Sequence, residues 1–487
     1  MTELLGLANL SLVPAASRPL ITPGTVATGI VHFGLGAFHR AHQAVYTEEA
    51  IALAGGDWGT AGVAPRSTGV LEALRAQDGL FSVTSAGAET RVIGAFSSLL
   101  HAATDPGAVV ALLADPAVRV VTLTITEKGH LLDPVTGRLL ADDDLLADLG
   151  SDRPPRTVPG LLVRGLLARH RADAGPIALV SCDNLPSNGR RVRGLVEFAL
   201  QGVTPAPGPG VLAWVAENVT FPGTMVDRIV PASTERTLAT AAAALGVRDL
   251  AAVSGEPYRQ WVIEDDFPGG RPAWERAGAV LTDDAGPWER LKLRSLNGVH
   301  SAIAYLGALA GRETIAEALE MPGMRATMRR FIAEDVAGSL VAPAGVTVVG
   351  YGDEVLERFA NPALGHRTIQ VAMDGSQKLP QRVLHTILDV RAAGGQARWG
   401  ALVVAAWMRF AEGVADDGRS LPLDDPLAAV IRARLADAPD GVVAALLGLD
   451  AVFPAELTGD ETVRSLITEW HATLSKHGAE ATLAGLR

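Results

Sequence analysis

Residues 29–50 read GIVHFGLGAFHRAHQAVYTEEA. An apolar, β-branched run ends at Gly34, a second glycine follows at Gly36, and a helical pattern begins at once. Strand, glycine turn and helix in that order open a dinucleotide-binding fold. There the glycines let backbone N–H groups approach a pyrophosphate, and the helix adds partial positive charge at its N-terminus. The third glycine of the usual fingerprint is replaced by His39. A plain tight turn between strand and helix would use the same two glycines, so both readings stand on this stretch alone.

Working outward, the segments TGIVHFG, WGTAGVAP, VRVVTLTIT and GPIALVSCDN are further short apolar runs. Continuous runs of this kind suit strands buried on both faces of a parallel sheet. Their polar ends matter, because ligands of open α/β sheets sit beyond the strands' carboxyl ends. From about residue 286 helical periodicity takes over, in PGMRATMRRFIAEDVAGSL, SQKLPQRVLHTILDVRAAGG and ARWGALVVAAWMRFAEGVADDG. The expectation is an α/β protein of two parts. Residues 1–286 form a Rossmann-type NAD(P)-binding domain and residues 287–487 a mostly α-helical substrate and catalytic domain, with a cleft between them.

Composition narrows the function classes. At 487 residues the chain exceeds one ordinary core. A net charge of −12 without a basic stripe argues against nucleic acid. No apolar run reaches the roughly 18 residues of a membrane helix, and MTELLGLANL is a poor secretory signal. The single cysteine, Cys182, excludes disulfides within the chain and zinc sites of several cysteines, and fits a reducing cytoplasm.

Several polar clusters fall at strand ends. The second strand runs into VAPRSTG, so Arg66 stands where a dinucleotide fold usually carries the acid that holds the ribose. Arg66 suits a 2′-phosphate, or is a solvated loop charge. Glu127 and Lys128 in TITEKGH face a ligand or are loop charges. In SCDNLPSNG, Asp183, Asn184 and Asn188 cluster, and an Asn amide can donate to a developing alkoxide; Asn also favours turns for backbone reasons. His39 and His42 have helical spacing, but without cysteines or an HExxH pattern no metal is expected.

ERLKLRSLNGVHS is the most informative stretch. On an α-helix at ~100° per residue, Lys292, Asn297 and His300 fall at about 0°, 140° and 80°, on one side. Three polar groups converging on a cleft need partners. Oxidation of a secondary alcohol by hydride transfer needs a base for the hydroxyl proton, and a lysine serves if its pKa is lowered. Asn297 would hold the oxygen and His300 orient the hydroxyl. Glu289, one turn earlier, could carry the proton to solvent. An amphipathic helix with a surface Glu–Lys pair fits the same spacing. In RTIQVAMDGSQKLPQR, the cations and amides Arg367, Gln370, Lys378 and Arg382 suit a polyhydroxylated or carboxylate ligand.

Together GLGAFHRAHQ, TITEKG, SCDNLPSNG, FPGTMVDRIVP, QWVIEDDFPGGRPAWE, KLRSLNGVHS and DGSQKLPQR resemble the mannitol dehydrogenase family, the polyol-specific long-chain dehydrogenases. The resemblance implies NAD-dependent hydride transfer, with NADP open and no catalytic metal, and is compatible with a monomer. Lys292 matches the general base, Asn184 and Asn297 the oxyanion pair, His300 the substrate-positioning residue and Glu289 a proton gate. Gly34, Gly36, Phe38 and His39 fall in the family's GxGxFHRAH turn, where a histidine at the third position is normal. With Arg66, Glu127 and Asn184 they are the expected cofactor contacts. Asp227 sits in the signature FPGTMVDRIVP, and Lys378 matches a substrate-binding lysine.

One departure bears on substrate. Where mannitol enzymes of the family carry an Arg eight residues before the lysine, this chain has Gln370. The segment is more similar to the fructuronate reductase branch, which handles a carboxylate that Arg382 or Arg367 could pair. The expected reaction is D-mannonate/D-fructuronate interconversion, with D-mannitol/D-fructose as the alternative. A remoter alternative is a nucleotide-binding sensor without catalysis, against which Lys292, Asn297 and His300 argue.

Overall fold

The computed structural model describes residues 3–85, 89–131, 140, 142–438 and 441–486, with backbone alone at 127 and 128. The chain divides into two compact units, Met1–Gly286 and Pro287–Arg487.

Among the described residues the first unit carries twelve strands: β1 (Thr28–Phe33), β2 (Gly59–Ala64), β3 (Phe81–Ser85), β4 (Thr90–Ile93), β5 (Phe96–His101), β6 (Val120–Leu123), β7 (Ile177–Ser181), β8 (Val219–Thr220), β9 (Thr224–Asp227), β10 (Val253–Gly255), β11 (Gln260–Glu264) and β12 (Val280–Thr282). Six form an all-parallel sheet in the order β5-β2-β1-β6-β7-β8. This is the doubly wound Rossmann order, whose direction of winding reverses between β1 and β6. The remaining strands make two three-stranded sheets, β10-β3-β4 and β12-β11-β9.

Side-chain alternation splits the strands' residues between two cores. Val31, Phe33, Val121, Leu123 and Leu179 face one cluster, with Leu161, Leu162 and Leu166 of the helix Val158–Arg171. Ile30, Val120, Val180 and Cys182 face another, filled by Tyr46, Trp58, Trp261 and Trp274. Burial on both faces is why these strands read as largely apolar runs, with His32 and Thr122 as buried polar exceptions. Cys182 is fully buried, and burial pushes its thiol well above its ordinary range.

The second unit is helical. Among the described residues its helices are interrupted by three π segments, Lys292–Asn297, Phe331–Val336 and Pro380–Leu384. Proline lacks an N–H and crowds the carbonyl four residues back, and the chain passes Pro380 as a π turn rather than a break. The helix Arg398–Ala411 is buried almost throughout and packs on the helix Glu461–His477.

Candidate active site

The glycine turn follows β1. Gly34 has φ +110°, and a Cβ there would lie 2.1 Å from the Thr124 carbonyl oxygen beyond β6. Only glycine fits, because two strand ends meet at this point. Gly36 has φ −64° and open space around its Cβ position, so packing does not demand glycine there. The helix beyond is shorter than its sequence pattern suggests. Ala37–Ala41 ends at His42, whose φ and ψ are −128° and −88°, and Gln43–Ala54 restarts. Its five residues supply less dipole than an uninterrupted helix would.

A cavity of about 680 Å³ opens beyond the carboxyl ends of β1, β2, β5 and β6. Gly34 and Gly36 form one wall, Arg66 and Ser67 a second, and Thr124–Thr126 with Gly129 a third. Arg156 and Thr157, at the start of the helix Val158–Arg171, close it. Its position at the winding reversal, its size and the glycine turn along its wall, buried at Gly34 and exposed at Gly36, fit a dinucleotide. No carboxylate stands at the end of β2; the exposed Arg66 does.

Phe38 and His39 do not line this cavity. Phe38 packs against the tryptophan-rich core and stacks on His42 at 5.0 Å. His39 is 2% exposed and stacked 3.4 Å from His32. Burial drives both histidines down, His32 to about 3 and His39 well below its ordinary range, so both rings are neutral.

At the next strand ends, the polar residues of SCDNLPSNG separate by function. Asn188 is buried and clamps Thr224: its Nδ2 donates to the Asp183 and Thr224 carbonyls, and its Oδ1 accepts the Thr224 N–H at 2.9 Å. Asp183 is buried too, accepting from Thr126 N–H and from His130. Asn184 is exposed just past them. The Glu127 side chain lies outside the described residues. Asp227 closes β9, 4% exposed and in register with Gln260.

In the second unit, Lys292 and Asn297 bound a π segment. A π turn holds about one residue more than an α turn, so each residue advances roughly 80–85°. Asn297 then lies roughly 40–65° from Lys292, closer than the α-helical expectation of about 140°. Lys292 and Asn297 are each 7% exposed. The Asn297 Nδ2 and the His300 Nε2 have no hydrogen-bond partner among the described residues. His300 stacks on Phe359 at 4.5 Å, and burial, then His366, Arg382 and Lys378, hold its pKa well below the usual value. Glu289 is half-buried one turn before Lys292.

Arg382 joins this group. Its Nη1 donates to Ser301 Oγ at 3.0 Å, one residue past His300. The approach depends on Gly298, where a Cβ would lie 2.8 Å from the Arg382 carbonyl. Lys378 donates to the Met373 carbonyl at 2.6 Å and sits 3.5 Å from Asp374. Burial and the neighbouring Arg382 lower the Lys378 pKa. Arg382 makes no ion pair among the described residues. Arg367 caps the short helix Thr368–Ala372 and Gln370 lies on it; both are exposed, and neither takes part in the hydrogen bonds of this cluster.

Residues 28–276 match the mannitol dehydrogenase Rossmann domain and residues 284–474 the mannitol dehydrogenase C-terminal domain. The chain belongs to the mannitol dehydrogenase family. It is an oxidoreductase acting on secondary-alcohol CH–OH groups of sugars, polyols or sugar acids. It is 40% identical to D-mannonate oxidoreductase of Escherichia coli (strain K12) over 487 residues, 98% of this chain and 99% of that one. It is 36% identical to mannitol 2-dehydrogenase of Phaeosphaeria nodorum, covering 98% of this chain and 84% of the relative. Among solved structures it resembles the Pseudomonas fluorescens mannitol 2-dehydrogenase ternary complex with NAD and D-mannitol, with TM-score 0.84, 33% identity and 99% of each chain covered. Substrate-free D-sorbitol dehydrogenase gives 0.89, with 32% identity, 99% of this chain and 100% of that one. For this family member, no group of three or more potential metal ligands occurs among the described residues. No described helix is long and apolar enough to cross a membrane.

Sequence reading missed four contributors. Arg156 and Thr157 carried a signal, since Thr157 caps a helix with proline at its start. His130 and Ser301 carried none, because their partners are distant in sequence.

Proposed function

We propose that this enzyme interconverts D-mannonate and D-fructuronate with NAD(H), acting as a fructuronate reductase. The observation that carries the substrate assignment is Arg382. It is a half-buried guanidinium held by a neutral hydroxyl, beside a second cation, Lys378, and one residue from His300 in contact. Asp374 acts on Arg382 only from beyond ion-pair distance, so a substrate carboxylate would supply a direct counter-charge, and a neutral polyol would not.

When bound, the nicotinamide supplies or accepts the hydride. Lys292 takes the hydroxyl proton during oxidation and returns it during reduction. Asn184 and Asn297 donate to the developing oxyanion, and the buried Asn297 Nδ2 has no competing acceptor among the described residues. His300, kept neutral by burial, orients the substrate hydroxyl. Glu289 passes the proton from Lys292 outward, and Asp227 and Gln370 belong to the substrate-facing set. Gly34, Gly36 and Arg66 hold the dinucleotide, with Arg66 deciding tolerance of a 2′-phosphate.

A second reading, mannitol 2-dehydrogenase, draws on Asp374. At 3.5 Å from Lys378 it already neutralises one of the two cations, which suits an uncharged polyol.

The test offers fructuronate, tagaturonate and fructose to the purified protein with NADH and NADPH. Fructuronate is expected to give the highest kcat/KM. Arg382→Gln removes a charge-assisted hydrogen bond worth about 1.5–3 kcal/mol, so it lowers fructuronate kcat/KM by roughly 10–150-fold and leaves fructose nearly unchanged. Higher kcat/KM with fructose, or an equal fall for both substrates, overturns the uronate assignment.

A further inference from the structure

Thr126 has φ +64°, in the left-handed region. A β-branched residue there is a genuine outlier, held only where its surroundings over-determine it. It opens the turn Thr126–Gly129 that lines the cofactor cavity. Asp183 over-determines it. One carboxylate oxygen accepts the Thr126 N–H at 2.8 Å, fixing the start of the turn. The other accepts from His130 Nε2 at 2.7 Å, fixing its end. His130 and Asp183 side chains are 1% and 6% exposed, so water does not compete. The carboxylate can only accept, so Nε2 carries the proton; Nδ1 has no partner among the described residues.

The backbone of the same residue is anchored at the end of its own strand. The Asp183 N–H donates to Ser181 Oγ at 3.3 Å, and its carbonyl accepts from the buried Asn188. Asn184 is the next residue. One side chain therefore ties the cavity wall after β6 to the β7 end that presents Asn184.

We propose that Asp183 and His130 are a positioning pair for hydride transfer, locking the Thr126–Gly129 turn against the dinucleotide and aiming the Asn184 amide. This rests on the oxyanion role given to Asn184 above. Neither residue touches the reacting atoms; both act through their neighbours.

The test is His130→Ala, with NADH binding and steady-state kinetics measured well below the melting temperature. Losing the bond should raise the NADH Kd about tenfold. Misaiming Asn184 should lower kcat at saturating cofactor by tenfold or more. His130→Gln offers an amide N–H to the same oxygen and should recover both to within about threefold. Adding Thr126→Gly to His130→Ala, which removes the strain, should restore binding but not kcat. Backbone exchange of the segment 124–131, followed by mass spectrometry, should rise in the Ala variant and not in the Gln variant. Unchanged Kd and kcat in His130→Ala overturn the proposal, as does a Gln variant no better than Ala. Should His130→Ala not fold, the Gln variant and Asp183→Asn decide on the same readouts. Failure of the functional reading shows in the wild type, as absent turnover; failure of the pair shows only in the variants.

Discussion

Three histidines of the glycine turn region make the first unit acid-labile. His32, His39 and His42 are 0%, 2% and 0% exposed, and none pairs with a carboxylate. Burial holds His32 and His42 at about 3 and His39 well below its usual value. In the unfolded chain all three take up protons near pH 6.5. Between that pH and about 3 the unfolded state binds more protons, so stability falls as pH falls. Each histidine costs roughly 1.4 kcal/mol per pH unit below 6.5. Glu48 acts in the opposite sense. Burial raises its carboxyl to about 7, so its contribution is full below the unfolded value and is lost as pH rises through 7. On acidification it gives back the equivalent of one histidine. The remainder, about two histidines over one and a half pH units, is roughly 4 kcal/mol lost between pH 6.5 and 5. Thermal unfolding at pH 7.5, 6.5, 5.75 and 5 measures it. His39→Phe keeps a stacking ring without titrating nitrogens; it should raise Tm at pH 5 more than at pH 7.5. A Tm flat from pH 7 to 5, or a His39→Phe effect equal at both, would refute the reasoning.

Lys292→Ala is expected to lower kcat by about 10²–10⁴ with NADH Kd unchanged, and a loss of tenfold or less removes the base assignment. Arg66→Ala should lower kcat/KM for NADPH at least tenfold and for NADH less than threefold, the loss of one charge-assisted phosphate contact; equal effects would make Arg66 a loop charge. Gly298→Ala places a methyl 2.8 Å from the Arg382 carbonyl. It should cost about 1–3 kcal/mol in the second unit's unfolding and weaken fructuronate binding more than NADH binding.

The fold was legible where burial writes itself into composition. β1, β2, β6 and β7 are covered on both faces, and each reads as a largely apolar run interrupted at most by one buried polar residue, His32, Thr60 or Thr122. The edge strand β5, FSSLLH, is half-buried and carries two serines, so nothing in its pattern separates it from a loop. β8 is two residues long and is defined by pairing with β7 alone. The break at His42 was hidden because both flanking segments keep helical composition. What bends the chain there is tertiary: His42 Nε2 donates to the Gln260 carbonyl at 2.9 Å, 218 residues away.

The candidate site shows the same division. Residue types named Lys292, Asn297 and His300, but their mutual direction depended on a π turn, which leaves no periodic mark in six residues. Asn188 and Asn184 look alike in SCDNLPSNG, and only the Thr224 clamp separates a packing amide from an exposed one. Among the cations, spacing offered Arg367 and Arg382 equally as carboxylate partners. For the proposed role Gly298 favours Arg382. It is the residue after Asn297, and its missing side chain lets the Pro380–Leu384 π segment close on the helix that carries Ser301. Two π segments, one built around a proline and one between Lys292 and Asn297, thus meet at a glycine. On the proposed reading, the polar groups that would handle the alcohol and the cation that would pair an acid are held by one packing contact. Substrate choice and chemistry should accordingly fail together when that contact is opened, and separately when Arg382 or Lys292 alone is changed.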